Sequence, residues 1–181
     1  MLEHGVSTTT VQHILKEANV SRRTYYQYFK SRDAAYVALY GEAISVLVAN
    51  VSRAVSNTED QSEKIVAGIM AYLQHQHDSG PLLWALQRMA VQADSPLAPL
   101  RDSTINAMVT FIDEQFKEVA GLTVDPLLFR GLVLSLDGII RHLQDTGSFG
   151  EAELVRVQGM VEPVIHNVFK AVPHLPDYTA P

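Results

Sequence analysis

The chain has 181 residues, a formal net charge of −6 and no cysteine. This length suits one extended all-helical unit or two small domains with a real core. The lack of cysteine excludes disulfide scaffolds, thiolate metal sites and thiol catalysis. No stretch approaches the ~20 uninterrupted apolar residues of a membrane span, so we expect a cytoplasmic protein without a membrane partner.

The first elements are two short helices with a tight corner between them, within residues 9–29. Thr9 is a good N-cap residue, and Gln12 three residues later completes a predicted capping box. Asn19 at the corner tolerates the left-handed conformation that usually falls to glycine, and Ser21 is expected to cap the second helix. The first helix has one apolar stripe, formed by Val11, Ile14, Leu15 and Ala18.

The second helix has an apolar side, predicted to be core, formed by Tyr25, Tyr28 and Phe29. Its other side is basic and rich in hydroxyls, and such a helix fits the DNA major groove. The arginines are candidates for guanine readout, because a guanidinium is bidentate to that base. The residues predicted to contact DNA are Thr10, Arg22, Arg23, Thr24, Tyr26, Gln27, Lys30 and Arg32. The alternative is a helical hairpin of another core, with these arginines as solvated surface.

The charge distribution favours the DNA-binding interpretation over the alternative. Residues 1–33 hold five basic and three acidic side chains, a net charge of +2. The remaining residues hold nine basic and seventeen acidic side chains, a net charge of −8. A basic head on an acidic body orients a molecule head first on a polyanion.

The start of the chain resembles the DNA-binding module of the tetracycline-repressor-type (TetR) transcription regulators. The resemblance covers residues 5 to about 40 and rests on Gly5, Thr9, Val11, Ile14, Ala18, Val20, Ser21, Thr24, Tyr26, Tyr28, Phe29, Ser31 and Arg32. Two departures are Asn19 in place of the usual glycine and Arg23 in place of a small residue. The family's first helix is almost wholly missing, so we expect the native protein to begin about 10–30 residues earlier, one helix of ordinary length.

Further helices are predicted along the rest of the chain, and no strand alternation appears, so the fold class is all-α. Capping residues, Pro and Gly mark the helix ends. The predicted helices are Arg32–Val55, Thr58–Asp78, Pro81–Ala93, Leu100–Val119, Pro126–Asp145 and a last one from Ser148 to about Val172. The predicted division is a DNA-binding domain at residues 1–45, a regulatory and dimerisation domain at 46–172, and a tail at 173–181.

The last two predicted helices are apolar on more than one face, which indicates a self-association surface rather than only a thick monomer core. The resemblance implies the same partner, since TetR-type regulators form homodimers through their last two long helices. The residues predicted to lie in the dimer interface are Leu136, Ile140, Leu143, Val161, Ile165 and Val168.

Methionine and aromatic residues on the middle helices are candidates for a small-molecule effector site, although such residues are more often plain core. The resemblance favours the effector site, because family members usually carry an inducer pocket there. The candidate ligand-binding residues are Met70, Trp84, Met89, Met108, Phe111 and Phe129. Their chemistry predicts a largely apolar ligand, and no cofactor is expected.

An enzyme is the weakest alternative. His75, His77 and Asp78 resemble a metal cluster on paper, but residues two apart on a helix point to different faces. We therefore predict no metal site and no catalytic residue. Two hypotheses remain: a repressor released from a palindromic DNA operator by a small ligand, and an effector-less dimeric DNA-binding or protein-interaction module.

Overall fold

A computed structural model describes residues 6, 8–121 and 123–171, with the side chains of 61, 62 and 169–171 excepted. The described residues form helices and no strand, so the all-α prediction is confirmed. The helices are α1 (Val11–Ala18), α2 (Arg22–Tyr28), α3 (Arg32–Ser56), α4 (Gln61–Asp78), α5 (Gly80–Ala90), α6 (Ala98–Ala120), α7 (Pro126–Asp145) and α8 (Glu151–Ala171).

The chain divides into two compact units, each built from two stretches of sequence. The first unit is Met1–Val46 with Ser79–Asp102, and the second unit is Leu47–Asp78 with Ser103–Pro181. Helix α5 therefore belongs to the same unit as α1 and α2. The predicted domain boundary at residue 45 remains a prediction. The expectations about the first helix and about the tail at 173–181 fall on residues 1–5 and 173–181, which lie outside the described residues.

The core of the first unit lies where the first half of α3 packs with α5 and the loop after it. Its buried members are Val6, Tyr36, Tyr40, Leu86, Ala90 and Leu97. The Tyr36 hydroxyl is buried and donates to the Val6 carbonyl at 2.8 Å. A buried hydroxyl needs such a partner, so this bond ties the segment before α1 to α3.

The core of the second unit joins α6 to α7. Its buried members are Ile105, Val109, Phe116, Val124, Phe129 and Val133. The rings of Phe116 and Phe129 meet edge to face with 5.2 Å between their centroids, a favourable aromatic geometry. Gly68 of α4 lets that helix approach closely, because an added Cβ would lie 3.4 Å from Phe111 and 3.5 Å from Val55.

The signals at helix ends have mixed outcomes. Helix α7 begins at Pro126 as predicted, with the Asp125 carboxylate accepting from the Leu127 N–H at 2.9 Å. The predicted cap of α4 at Thr58 is wrong. The Thr58 hydroxyl donates back to the Ala54 carbonyl at 2.9 Å and closes α3, while Asp60 accepts from the Glu63 N–H. A threonine hydroxyl can accept a hydrogen bond at the start of a helix or donate one at the end of a helix. Here it donates at the end of α3.

Helix α3 is more apolar than expected from the sequence, from which no membrane span was predicted. Among the described helices it alone is long and apolar enough to cross a membrane, by length and composition only. Tyr36, Tyr40 and Leu47 on this helix are buried in the protein. Only 17% of the most apolar stretch of α3 is buried in the protein, and a single helix of this kind is weak evidence for a membrane span.

Candidate nucleic-acid interface

The N-cap of α1 lies one residue later than predicted. Thr10 is the N-cap residue: its hydroxyl accepts from the His13 N–H at 3.3 Å, and His13 Nδ1 accepts from the Thr10 N–H at 3.3 Å. The predicted box of Thr9 and Gln12 is wrong, because Thr9 is fully buried. The Thr9 carbonyl accepts from Arg32 Nη1 at 3.1 Å. The cap residue Thr10 is exposed at the start of α1.

The corner between α1 and α2 has the predicted geometry. Asn19 has φ 51° and ψ 44°, in the left-handed region, and no other described non-glycine residue has a positive φ. The Val20 N–H donates to the Leu15 carbonyl at 3.1 Å. This bond satisfies a carbonyl that the end of a helix leaves without an intrahelical partner. It closes the turn that sets the direction of α2.

Helix α2 is capped as predicted by Ser21. The Ser21 hydroxyl accepts from the Thr24 N–H at 3.0 Å and lies 2.8 Å from the Thr24 hydroxyl. Tyr25 is the one buried residue of this helix. The structure therefore exposes the remaining side chains of α2.

The apolar side of α2 is narrower than predicted. Tyr25 is 4% exposed, and its ring lies 5.4 Å from the Phe29 ring. Tyr28, predicted as core, is 76% exposed. Helix α2 ends at Tyr28, and the covered stripe is formed by Tyr25 together with Phe29 just beyond the helix. Tyr28 therefore adds an exposed phenol to the candidate interface, which the stripe pattern of the sequence missed.

Two buried tyrosines stabilise this region from beneath. The Tyr25 hydroxyl donates to the Ser31 carbonyl at 3.1 Å, just beyond α2. Burial raises the pKa of Tyr25, and nearby Tyr26, Tyr36 and Asp33 raise it further. Burial also raises the pKa of Tyr36, opposed by a hydrogen bond from Thr9 and by the charge of Arg32. Both phenols stay neutral and hold backbone carbonyls in place.

The predicted DNA-contacting residues fall into two groups. Seven of them are exposed around α2 and the start of α1, namely Thr10, Arg22, Arg23, Thr24, Tyr26, Gln27 and Lys30. Arg32 is engaged inside the first unit instead. Its guanidinium donates to the Thr9 carbonyl and to Asp33, at 3.1 Å each, and lies 5.5 Å from the centre of the Tyr36 ring. These contacts give Arg32 a stabilising role within the fold.

The predicted ligand-binding residues are divided between the two units. Trp84 and Met89 belong to the first unit, where Met89 packs against the core around Tyr36. Met70, Met108, Phe111 and Phe129 belong to the second unit. Phe129 is fully buried, and Met108 packs against the same cluster. The structure thus brings together Met108 and Phe129 but not the whole predicted set.

Three of the six residues predicted to lie in the dimer interface are buried within a single chain, and the interface itself stays a prediction. Leu136, Ile140 and Leu143 are buried in the interior of a single chain, and Val168 packs against the α6–α7 core. Val161 and Ile165 are half-buried. A residue whose surface is already covered within one copy offers little to a second copy. Periodicity found the apolar stripes but did not identify which stripe faces inward.

Helices α7 and α8 expose other apolar side chains instead. Leu128, Leu132 and Ile139 recur at i, i+4 and i+11 on α7, and Met160 and Val164 are one turn apart on α8. We call these five exposed residues the outer apolar residues. Exposed apolar side chains repeated on one face of a helix mark an interaction surface.

The two histidines near the end of α4 have different surroundings. His77 Nδ1 lies 3.0 Å from Asp78 Oδ1, and His77 Nε2 lies 3.9 Å from Glu151 Oε2. Burial lowers the pKa of His75, opposed by Asp78. The pKa of Asp78 is lowered by hydrogen bonds from His77 and Gln74. Among the described residues no three His, Asp or Glu side chains form a group that could hold a metal ion.

The sequence comparison matches the segment that builds this interface. Residues 1–39 match the model of a family described as bacterial regulatory proteins, tetR family. This match covers α1, α2 and the beginning of α3. A comparison with curated proteins yields no significant match.

The fold is similar to those of two solved structures. One is a TetR family transcriptional regulator, PfmR from Thermus thermophilus, at 20% identity and a TM-score of 0.67, covering 91% of each chain. The other is NemR of E. coli in its reduced form, at 17% identity and a TM-score of 0.67, covering 90% of this chain and 89% of that one. At such identities the likeness establishes the fold.

Proposed function

We propose that the chain, whose residues 1–39 match the family model of the tetR bacterial regulatory proteins, is a repressor whose operator affinity is set by a small ligand. It binds a near-palindromic DNA site as a homodimer, in the cytoplasm where bacterial DNA lies. A largely apolar ligand in the body releases it. The observation that carries the DNA-binding step is the exposure of every α2 side chain except Tyr25, on a capped helix that has two arginines in its first turn.

The exposed residues of α2 have the chemistry that reads and holds DNA. Arg22 and Arg23 offer planar, bidentate donors that match the two acceptors of guanine. Tyr26, Tyr28 and Lys30 supply a hydroxyl or an ammonium group to phosphate oxygens, which fix the position of the helix on the duplex. Arg32 stabilises the fold beneath them through Thr9 and Tyr36.

The outer apolar residues of α7 and α8 support the proposed dimer. Leu128, Leu132 and Ile139 on one helix, with Met160 and Val164 on the next, are apolar and solvent-exposed in the single chain. A second copy that covers them removes this surface from water, which is favourable. A two-fold dimer presents two copies of α2, and this arrangement matches a palindromic operator.

Release of DNA by the ligand is a shift between two populations of the dimer. The ligand stabilises a form whose two α2 helices have the wrong spacing for the operator. A hundred-fold loss of operator affinity needs about 2.7 kcal/mol of differential binding. A few buried contacts in the body are enough for this.

The test of DNA binding is the sequencing of fragments that the protein retains from its own genome. We expect one near-palindromic sequence, with half-sites about 34 Å apart or a multiple of that distance. Affinity for it should fall steeply with salt, because phosphate contacts release counterions. Failure to enrich any sequence, or a complex that ignores salt, would contradict the proposal.

The substitution Arg22→Ala then separates base reading from phosphate binding. If Arg22 reads a guanine, its loss should cost about 1–3 kcal/mol and relax the preference at one base position of the operator. An equal loss on every sequence would make Arg22 a phosphate contact. Arg23→Ala is the parallel variant, because Arg23 is also proposed to read a guanine: it should relax the preference at a different base position of the operator.

An effector-less DNA-binding dimer is the second candidate, and the packing of Phe129 against Phe116 favours it, because a candidate pocket residue fills a core. Thermal-shift measurements with a panel of apolar metabolites, run beside an operator-release assay, distinguish the two candidates. A ligand that shifts the melting temperature and releases DNA supports the repressor. The absence of any such ligand supports the second candidate.

A further inference from the structure

Four polar side chains are buried among the described residues: Thr9, Gln76, Ser95 and Gln144. Thr9 and Gln76 each have an interaction partner. The Ser95 hydroxyl accepts from the Leu97 N–H at 3.2 Å. Gln144 differs from the other three, because neither its Oε1 nor its Nε2 has a hydrogen-bond partner among the described residues.

Gln144 lies in the last turn of α7 and is 5% exposed. Its neighbours on the buried side of that helix are apolar, among them Ile140 and Leu143. A buried amide without a partner loses its hydrogen bonds to water and receives none in return. An apolar side chain of the same size would be more stable at such a position.

The donors nearest to Gln144 along the chain are already used by the backbone. The Thr146 hydroxyl donates to the His142 carbonyl at 2.9 Å, and the Ser148 N–H donates to the Leu143 carbonyl at 3.0 Å. The Gly147 N–H donates to the carbonyl of Gln144 itself at 3.2 Å. The backbone carbonyls of residues 142–144 therefore have hydrogen-bond donors, while the side-chain amide of Gln144 has no hydrogen-bond partner among the described residues.

We propose that Gln144 is the polar anchor of the effector site, and that its amide is completed by a neutral, largely apolar ligand carrying a carboxamide or a lactam. This inference rests on the proposed function as a ligand-controlled regulator. A glutamine amide offers one acceptor oxygen and a donor NH2 group side by side. A carboxamide or lactam pairs with both at once.

Charged ligands fit this position poorly. Burying an ionised group is unfavourable unless an opposite charge meets it. The nearest ion pair on α7 joins Asp137 to Arg141, which lie two turns and one turn before Gln144. The two charges neutralise each other. The neutral donor–acceptor pair is therefore the chemistry that matches the site.

The first measurement is the thermal stability of Gln144→Met, compared with Gln76→Met. Methionine is unbranched and close to glutamine in size. In the absence of ligand, Gln144→Met should raise the melting temperature by roughly 2–6 °C, because an unpaired amide is removed. Gln76 is equally buried and has an interaction within the protein, so Gln76→Met should not raise it. A lower melting temperature for Gln144→Met would show that the amide is satisfied within the protein and would overturn the proposal.

The second measurement is calorimetric binding of two probes of equal length, octanamide and methyl heptyl ketone. The amide donates and accepts hydrogen bonds, whereas the ketone only accepts. The wild type should bind octanamide at least tenfold more tightly than the ketone, and Gln144→Met should lose that preference. Equal affinities in the wild type, binding of neither probe, or a preference that survives in Gln144→Met would each overturn the proposal.

Both measurements are made without DNA, so they are independent of the proposed repressor activity. If the protein represses but shows no preference for octanamide, the proposed function stands and the proposal about Gln144 fails. A protein that shows the preference but never leaves an operator keeps the anchor and lacks the switch.

Discussion

Helices α2 and α7 expose opposite kinds of surface. On α2 the exposed side chains are charged or polar, and the single buried residue is Tyr25. On α7 a buried apolar stripe lies beside exposed leucines, such as Leu128 and Leu132. An exposed basic helix suits a polyanion, whereas an exposed apolar stripe suits another protein surface. The two helices therefore indicate two partners of different chemistry for one chain.

The interiors of the two units differ in how their buried polar groups are hydrogen-bonded. In the first unit the buried tyrosine hydroxyls have carbonyl partners, at Ser31 for Tyr25 and at Val6 for Tyr36. In the second unit the buried amide of Gln144 has none among the described residues. The buried tyrosine hydroxyls of the first unit are thus paired within the described part of the chain, whereas the buried Gln144 amide of the second unit is not.

The largest expected effect comes from placing a charge among the outer apolar residues. Leu132→Asp should abolish the dimer, because an unpaired carboxylate would be buried at the interface between copies. Sedimentation should show monomer where the wild type is dimeric, and operator binding should fall with it.

Leu134→Asp is the matched control for that substitution. Leu134 is the same residue type with almost the same exposure, 39% against 41%, but lies about 200° around the helix from Leu132. It should leave the dimer intact. Dissociation by Leu134→Asp and not by Leu132→Asp would place the interface on the other side of α7.

The pH dependence of stability should differ between the two units. Tyr25 and Tyr36 have raised pKa values in the folded state, mainly through burial. Both are neutral in the folded and unfolded chain below the ordinary pKa of 10.0. Above it the unfolded chain loses these protons first, so stability falls with rising pH by roughly 1.4 kcal/mol per pH unit per tyrosine until the folded pKa is reached.

His75 gives the second unit the opposite dependence. Its pKa is lowered below 6.5, mainly by burial. The unfolded chain therefore takes up a proton first as the pH falls, and stability is lost below the ordinary pKa. Urea unfolding should show both effects, with Trp84 fluorescence reporting the first unit at alkaline pH and circular dichroism the whole chain at acid pH. Tyr25→Phe should reduce the loss of stability at alkaline pH, and His75→Gln should reduce the loss at acid pH. If either variant keeps the pH dependence of the wild type, that residue is not the cause of it.

Local signals in the sequence predicted several helix ends correctly. Ser21, Asn19 and Asp125 act within one turn of their own position, through a cap or a left-handed backbone. Such effects depend on neighbours along the chain, so the sequence contains the information. The bounds of α3 and α7 were predictable for the same reason.

The packing of side chains was less predictable, because it depends on distant residues. Ile140 and Leu132 are both apolar residues on apolar stripes of α7, and the sequence alone does not distinguish the interior stripe from the exterior one. Tyr28 and Phe29 posed the same problem on α2. The grouping of α5 with α1 and α2 in one unit also depends on tertiary contacts, which no local pattern in the sequence reports.

A smaller effect should come from the exposed phenol of α2. Tyr28→Phe removes only a hydroxyl, and if that group binds a phosphate, affinity should fall about 2- to 10-fold, equally for all DNA sequences. Thermal stability should not change. Tyr25→Phe is the buried counterpart: it removes the donor to the Ser31 carbonyl, so it should lower the melting temperature and leave sequence preference intact. Fluorescence anisotropy and thermal unfolding measure the two effects. If Tyr28→Phe leaves DNA affinity unchanged, Tyr28 is not a phosphate contact.

The smallest effect should come from the corner that joins α1 to α2. Asn19 has φ 51°, a conformation that is unfavourable for residues with a Cβ, though less so for asparagine than for most. Asn19→Gly relieves that strain but gives the unfolded chain more freedom, and these two effects oppose each other. The net gain should be a few tenths of a kcal/mol to about 1 kcal/mol, or roughly 1–3 °C in melting temperature. Asn19→Ala keeps the Cβ and loses the side-chain amide, so it should destabilise the first unit. Operator affinity should be unchanged by Asn19→Gly, because the Val20 N–H still closes the turn on Leu15. A glycine variant that melts lower than the wild type would show that the asparagine side chain contributes a contact of its own to the corner.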